Sequence, residues 1–191
     1  DILSISDKRG VKDKIVTFLG RITMQKGPEY FVEAAARVLS KTDNVRFVMA
    51  GSGDMMDKMI RLAASRNLSD RFHFTGFMKG KQVYEIFKAS DVYVMPSVSE
   101  PFGISPLEAM QCGVPSIISK QSGCAEILDY AIKVDYWDIE ALADAIYGLI
   151  AYPKLHAFLK EEGLKEVNNI KWEYAGQKVR RIYDQVLYGK N

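Results

Sequence analysis

Short runs of β-branched and aromatic residues alternate along this chain with longer segments of helical periodicity. The short runs are bounded by Gly, Pro, Ser or Asp and predict six strands, at residues 15–19, 45–50, 72–75, 91–95, 115–119 and 131–134. The longer segments predict helices at residues 28–41, 54–67, 81–90, 106–112, 139–152, 154–168 and 172–187. Near-continuous apolar strands alternating with helices indicate a parallel sheet covered on both faces. The sequence therefore predicts an α/β, Rossmann-like, doubly wound domain of about six strands with a C-terminal helical tail.

The length of 191 residues fits one domain, at residues 1–191. The charge balance indicates which classes of binding partner are excluded. With 26 Lys and Arg against 24 Asp and Glu, the net charge of +2 argues against a nucleic-acid binder. No apolar run approaches the ~18 residues of a transmembrane segment. Cys112 and Cys124 are too few for a disulfide framework and predict reduced thiols in the cytoplasm. Because Asp1 is not an initiator methionine, we expect a piece of a longer protein.

The loop after the first strand, residues 20–27, is the first candidate site. Ligands of an open α/β sheet bind beyond the carboxyl ends of its strands. Arg21 can hold two phosphate oxygens through its planar guanidinium group, and Lys26 supplies a compact positive charge. The alternative is that both are solvated surface cations.

The loop after the second strand begins as a dinucleotide-binding loop does. However, Met56 stands where the third glycine of GxGxxG belongs, and no acidic residue follows the next strand. This loop therefore predicts a tight turn in which Asp54 caps the following helix. The alternative interpretation, a nicotinamide-dependent oxidoreductase, is supported only by the turn that contains Gly51 and Gly53.

The loop at residues 96–108 is the richest in functional groups. Ser105 as N-cap, Pro106 and Glu108 fit a capping box, which would explain Glu108 without a ligand. Glu100 has no helix to cap. The backbone amides of residues 103–107 would form an anion site at the helix start. A carboxylate beside such a site can accept hydrogen bonds from two sugar hydroxyls.

The remaining polar and amphipathic features suggest no separate chemistry. His73 is predicted to be a packed or surface histidine, and His156 to be exposed. No serine-hydrolase elbow, Walker loop, zinc-protease motif or Asp-x-Asp pair occurs, so we expect neither a metal nor a cofactor. The apolar side of the tail helix is predicted to pack against the parent sheet, or alternatively to dock on a neighbouring domain.

Several strings together resemble one family from Lys14 to about Leu187. They are FLGRITMQKG at residues 18–27, FVMAGSGD at 47–54, FTGF at 74–77, SDVYVMPSVSEPFGISPLEAMQCGVPSI at 90–117 and SGCAEIL at 122–128. The chain resembles the C-terminal, donor-binding domain of retaining GT-B glycosyltransferases of the glycosyl transferases group 1 family. Glu100 and Glu108 match the family's Glu-x7-Glu pair. Ser122-Gly123 departs from the family's Gly-Gly, and its Gly-rich turn before the sixth strand is shortened here.

The resemblance implies a role for each matching residue. Arg21 and Lys26 would bind the donor diphosphate, Glu108 the ribose and Glu100 the donor sugar; Arg21, Lys26 and Glu100 would be the catalytic residues. The implied donor-binding set is Gly20, Arg21, Lys26, Gly51, Phe77, Met78, Glu100, Phe102, Gly103, Ile104, Ser105 and Glu108. Fixed cations and helix-start amides would stabilise the charge on the leaving phosphate without a metal.

The resemblance also implies a second domain. The chain would be one half of a GT-B fold, and an N-terminal domain absent from it would hold the acceptor. We therefore expect this piece to bind a nucleotide sugar but to transfer none alone, and to expose an apolar face along the tail helix. Any peripheral membrane contact of the cytoplasmic enzyme would pass through the absent domain. The alternative is a non-catalytic nucleotide-sugar-binding or regulatory module.

Overall fold

The computed structural model describes residues 13–189, so Asp1 and the predicted start of the domain lie outside the described residues. The strands are β1 (Lys14–Leu19), β2 (Val45–Ala50), β3 (Phe72–Gly76), β4 (Val92–Met95), β5 (Ser116–Ser119) and β6 (Ile132–Val134). The helices are α1 (Pro28–Leu39), α2 (Met56–Ser65), α3 (Lys81–Ala89), α4 (Ser105–Gln111), α5 (Ile139–Ala151), α6 (Pro153–Asn169) and α7 (Trp172–Tyr188). These elements match the six strands and seven helices predicted from the sequence.

The six strands form one parallel sheet in the order β3-β2-β1-β4-β5-β6. Helices α1, α2 and α5 pack together on one face, and α3, α4 and α6 cover the other. Because the chain moves outward from β1 to β3 and then returns to β4, the order of the strands reverses between β1 and β4. The predicted doubly wound α/β fold is confirmed.

Both faces of the sheet are buried, which explains why its strands read as continuous apolar runs. On the α1 side, the rings of Phe31, Phe47 and Phe72 pack with centroids 5.6 to 6.2 Å apart. On the α4 side, Tyr93 and Met110 lie in a second apolar cluster. Each such fully buried side chain contributes about 1.5–3 kcal/mol to folding. The core thus fixes the strand ends from which the candidate loops emerge.

The start of helix α2 differs from the sequence-based prediction, whereas that of α1 does not. Helix α2 begins at Met56 after Met55, and no side chain caps it, so the predicted Asp54 cap is wrong. Helix α1 begins as predicted at Pro28, where the missing N–H costs no helical hydrogen bond. The turn at residues 51–53 is set by backbone contacts with the first loop rather than by an Asp54 cap.

Helix α7 does not pack against the sheet, and that prediction is wrong. Each of its side chains that the structure describes is exposed, including Val179, Ile182 and Val186 at 52%, 59% and 78%. The expected exposed apolar face along the tail is confirmed. Within residues 13–189, no helix is long and apolar enough to cross a membrane.

The two histidines are both partly buried. His73 lies 3.3 Å from the Arg46 guanidinium group, as a packed histidine would. His156 was expected to be exposed, but its Nε2 lies 2.9 Å from the Asp91 carbonyl oxygen. This contact connects α6 to the start of β4, which is a structural role.

Candidate functional site

The candidate loops meet where β1 and β4 lie side by side. From β1 the chain passes to α1 on one face, and from β4 to α4 on the other. A crevice at the carboxyl ends of such diverging strands is the usual ligand site of an open α/β sheet. The structure therefore brings the candidate loops at residues 20–27 and 96–108 to one place.

Glycine at position 27 allows these two loops to touch. Residues Met24–Lys26 form a short 3-10 turn that ends at Gly27, with φ of 64°. A Cβ atom there would lie 2.1 Å from the Pro96 carbonyl oxygen. The Val98 amide also donates to the Gln25 carbonyl oxygen at 2.9 Å. Only glycine fits this approach, which explains its place beside Lys26.

The predicted catalytic residues Lys26 and Glu100 form an ion pair. The Lys26 ammonium group donates to Glu100 Oε2, and the two side chains are only 20% and 12% exposed. Partly buried charges need such compensation because their desolvation is unfavourable. The two groups assigned to different parts of one ligand are thus adjacent and currently neutralise each other.

Arg21 and Glu108, the other charged candidates, are exposed. Arg21 Nη2 donates to Gln25 Oε1 at 3.2 Å, which keeps its guanidinium group on the loop that carries Lys26. Glu108 lies on the first turn of α4. Its backbone takes part in helical hydrogen bonds, but its carboxylate makes no hydrogen bond or ion pair with the part of the chain that the structure describes. Its carboxylate is free to accept hydrogen bonds from a ligand.

Tyr93 connects the end of β1 to the start of α4, and sequence reasoning missed it. Its buried hydroxyl lies 2.8 Å from Ser105 Oγ and 3.3 Å from the Leu19 carbonyl oxygen. Burial raises the pKa of Tyr93 well above its ordinary value, so the hydroxyl stays protonated. A tyrosine inside the apolar run DVYVM is typical of core packing. The only sequence signal for its contacts is the hydroxyl, which needs a hydrogen-bond partner when it is buried.

The same contact overturns the predicted capping box. Helix α4 has Ile104 at its N-cap, Ser105 is its first residue, and no side chain caps it. The Ser105 hydroxyl is engaged with Tyr93 instead. Glu108 consequently has no capping role.

Backbone hydrogen bonds from the segment after β5 hold the Glu100 loop in place. The Gly123 amide donates to the Glu100 carbonyl oxygen at 2.9 Å, and the Cys124 amide to that of Phe102 at 2.7 Å. Gly103 has φ of 94°, and a Cβ atom there would lie 3.0 Å from Met95 Cε. Ile104 beside it is 58% exposed. The loop's side chains are therefore presented on a fixed backbone.

The remaining candidates extend towards β3. A Cβ atom on Gly51 would lie 1.8 Å from the Gly20 carbonyl oxygen, so this contact requires glycine at position 51 without any ligand. Phe77, which follows β3, is 71% exposed. Met78 is half-buried against an apolar cluster of α3, β1 and β2. In the strand order, Phe77 lies on the opposite side of β1 from Glu100.

Three buried side-chain atoms lack a hydrogen-bond partner within residues 13–189: Thr23 Oγ1, Ser97 Oγ and Gln121 Oε1. All three belong to loops that leave the carboxyl ends of strands, namely β1, β4 and β5. Buried polar atoms are nearly always paired in folded proteins. Their concentration at one end of the sheet marks it as the part of the molecule with unused hydrogen-bonding capacity. No sequence motif pointed to these three residues.

The sequence is similar to a known protein family and to known proteins. The model of the glycosyl transferases group 1 family matches residues 3–166. An uncharacterized glycosyltransferase of Methanocaldococcus jannaschii is 40% identical over 126 residues, which cover 65% of this chain and 32% of that protein. The chain spans 32% to 43% of the length of the first curated relatives it matches.

Solved structures have the same fold. The C-terminal domain of LpcC, a glycosyl transferase group 1 family protein from Francisella tularensis, superimposes with a TM-score of 0.77 at 24% identity. The match covers 88% of this chain and 91% of that one. HepE of Anabaena, solved in complex with UDP, gives a TM-score of 0.82 at 20% identity over 96% of this chain and 52% of that one. The described fold is that of one domain of a GT-B glycosyltransferase, and the chain belongs to the glycosyl transferases group 1 family.

Proposed function

We propose that this chain is the donor-binding domain of a retaining, hexosyl-type glycosyltransferase. It binds a nucleoside diphosphate sugar, and the glycosyl group passes to an acceptor held by a further, N-terminal domain of the same protein. The proposal extends the family membership to a specific activity for the site between β1 and β4.

The Lys26–Glu100 pair is the observation that carries this proposal. It places a cation suited to a diphosphate beside a carboxylate suited to sugar hydroxyls, at the strand ends where α/β sheets bind ligands. Arg21 stands on the same loop as Lys26, and Glu108 lies on the first turn of α4, which follows the Glu100 loop. HepE, the structural neighbour with UDP, is consistent with such a ligand.

Cleavage of the donor releases a nucleoside diphosphate, so negative charge grows on its β-phosphate. Lys26 and Arg21 would stabilise that charge more strongly in the transition state than in the ground state. The amides of residues 102–105 would contribute hydrogen bonds to phosphate or sugar oxygens. Glu108 would accept hydrogen bonds from the ribose, and Phe77 and Met78 would border the base. No metal or cofactor is required in this scheme.

The acceptor domain would explain the exposed face of α7. Apolar side chains such as Val179, Ile182 and Val186 stay in water here, which is unfavourable unless another surface covers them. We propose that the acceptor domain does so, and that the present piece alone transfers no sugar. The free thiols of Cys112 and Cys124 suit a cytoplasmic enzyme. Any peripheral membrane association would belong to the acceptor domain.

A thermal-shift panel tests the donor assignment. UDP-, GDP- and ADP-sugars are each added to the 191-residue chain, because a ligand that binds only the native state raises its melting temperature. We expect one base to give a clear rise that survives EDTA. Arg21→Ala and Lys26→Ala should reduce it, whereas Arg180→Ala on the exposed α7 should not. No rise with any nucleotide, or an undiminished rise in both site variants, would contradict the proposal.

A transfer assay separates the enzyme from a non-catalytic binding module. The full-length protein should release nucleoside diphosphate from the donor that the panel identifies, and Glu100→Gln should abolish the release. Donor binding without any turnover by the full-length protein would favour the binding module.

A further inference from the structure

An aromatic corner borders the candidate site on the side of β6. It consists of Tyr30 in the first turn of α1 and of Tyr136 and Trp137, which follow β6 after Asp135. The ring centroids of Tyr30 and Tyr136 are 5.2 Å apart, and those of Tyr136 and Trp137 are 4.8 Å apart, both edge to face. Trp137 is 57% exposed, whereas the two tyrosines are half-buried. The corner therefore presents one large indole on a fixed aromatic base.

Two sets of contacts make the corner continuous with the Lys26–Glu100 pair. On one side, a Cβ atom on Gly27 would lie 3.0 Å from Tyr30 Cδ2, and Gly27 directly follows Lys26. On the other side, Gln121 Nε2 donates at 3.0 Å to Asp135, the residue before Tyr136. Gln121 precedes Ser122, which forms a β-bridge with Glu100. The corner and the ion pair thus belong to one surface.

The strand order places the corner opposite the proposed base site. Phe77 follows β3 at one edge of the sheet, and Tyr136 follows β6 at the other, with the Lys26–Glu100 pair between them. A nucleotide sugar whose base lies near Phe77 would direct its glycosyl end towards β6. This step depends on the proposed function. The corner is then on the side where a glycosyl group leaves the donor and an acceptor receives it.

The polar groups beside the corner suit a ligand with many hydroxyls. Lys120 and Asp135 form an ion pair at 2.8 Å, with side chains 54% and 30% exposed. Gln121 also binds Asp135 and holds its carboxylate in place. A pyranose ring presents C–H groups on a face and hydroxyls on its rim, so it can stack on an indole and bind a carboxylate and an ammonium group at once. A purely apolar ligand would leave this pair unused.

We infer that the aromatic corner is a saccharide subsite, in which a sugar ring stacks on Trp137 and its hydroxyls bind Asp135 and Lys120. The ring is either the glycosyl group of the donor or a sugar of the acceptor, and both share this chemistry. The donor domain would then contribute directly to saccharide recognition.

Saturation-transfer NMR on the 191-residue chain tests this inference, with the methyl α-glycosides of glucose, mannose and N-acetylglucosamine as probes in the presence of saturating nucleoside diphosphate. We expect at least one glycoside to receive saturation on its ring protons. Trp137→Ala should weaken its binding about tenfold, the usual effect of truncating a central aromatic contact. Phe158→Ala is the matched control. Phe158 is 55% exposed, like Trp137, but it contacts Tyr130, which precedes the start of β6 rather than following its end.

A second arm identifies the source of the sugar. If Trp137→Ala weakens the binding of the nucleotide sugar but not of the nucleoside diphosphate, the subsite holds the donor's glycosyl group. If it weakens only the free glycosides, the subsite holds the acceptor. Unchanged binding in both arms, or an equal loss in Phe158→Ala, overturns the inference. A failure to bind any nucleotide would instead count against the proposed function.

Discussion

Lys26 has one close anionic partner in the described structure, the Glu100 carboxylate, and a diphosphate would compete with it. Replacing Glu100 with Gln removes this competitor and leaves the ammonium group available. We predict that Glu100→Gln binds the nucleoside diphosphate about tenfold more tightly, because a hydrogen bond between charged groups contributes about 1.5–3 kcal/mol. Isothermal titration calorimetry measures the change.

The same variant should behave differently towards the complete donor. Glu100 is also the proposed sugar contact, so the nucleotide sugar should gain less affinity than the nucleoside diphosphate. Lys26→Ala is the control and should weaken the binding of both. If Glu100→Gln lowered diphosphate affinity as Lys26→Ala does, the proposed competition would be wrong.

The buried Tyr93 hydroxyl is expected to stabilise the domain. Tyr93→Phe would leave the Leu19 carbonyl oxygen and the Ser105 hydroxyl without this partner. We predict a loss of about 1–2 kcal/mol in the free energy of unfolding, measured by urea denaturation. Ser105→Ala breaks one of the two contacts and should cost less. A Tyr93→Phe variant as stable as the parent chain would refute the role of the hydroxyl.

His73 should make stability depend on pH. Burial, and then the nearby Arg46 charge, lower the pKa of His73 below its ordinary value. The unfolded chain therefore takes up a proton first as the pH falls. The stabilisation is complete above the unfolded pKa of about 6.5 and is lost as the pH falls through the lower folded value.

Urea denaturation at several pH values checks this expectation. The parent chain should lose stability between about pH 7 and pH 5.5, above the range in which most carboxylates titrate. His73→Gln should show a flatter dependence over that interval. Equal slopes in the parent chain and His73→Gln would contradict the prediction.

At the scale of the elements, α7 is predicted to add little to the stability of the described domain. Ile182→Asp and Val186→Asp together replace two side chains that are more than half exposed. We expect the melting temperature to change by no more than about 4 °C, since two exposed substitutions together usually change stability by under about 1 kcal/mol. Binding of the dye ANS, which reports exposed apolar surface, should fall. A large drop in melting temperature would show that α7 packs on the domain.

The strands and most helices could be predicted from the sequence because local patterns determine them. Residues 45–50, for example, are apolar apart from Arg46 and follow a polar turn, and β2 occupies those positions. The behaviour of α7 could not be predicted in this way. Its amphipathic pattern indicates that one face is stabilised by burial against an apolar surface. Periodicity does not show which surface that is.

The candidate site was predictable where it depends on chain order and was missed where it depends on distant contacts. Arg21, Lys26 and Glu100 follow strands whose ends had to meet at one edge of a parallel sheet. Tyr93 and Gln121 were missed because their partners are brought to them only by the fold. Local rules also gave Ser105 and Asp54 capping roles that the structure does not contain. At Ser105, the tertiary contact with Tyr93 takes the place of the local one.

At the scale of the whole molecule, the strand order sets out a linear site. Phe77 lies towards the β3 edge, the Lys26–Glu100 pair at the centre and Trp137 towards the β6 edge. In the proposed function, these three surfaces would hold the base, the diphosphate and the sugar of the donor in that order. The order thus predicts the direction in which a nucleotide sugar should lie.

A crystal structure of the 191-residue chain with the nucleoside diphosphate that gives the largest thermal shift is the most direct test. We predict a β-phosphate oxygen within about 3 Å of Lys26 Nζ, the length of a charge-assisted hydrogen bond. The base should lie on the Phe77 side, and the direct contact between Lys26 and Glu100 should be broken or shared. A nucleotide bound elsewhere, with Lys26 and Glu100 still paired, would contradict the proposed site.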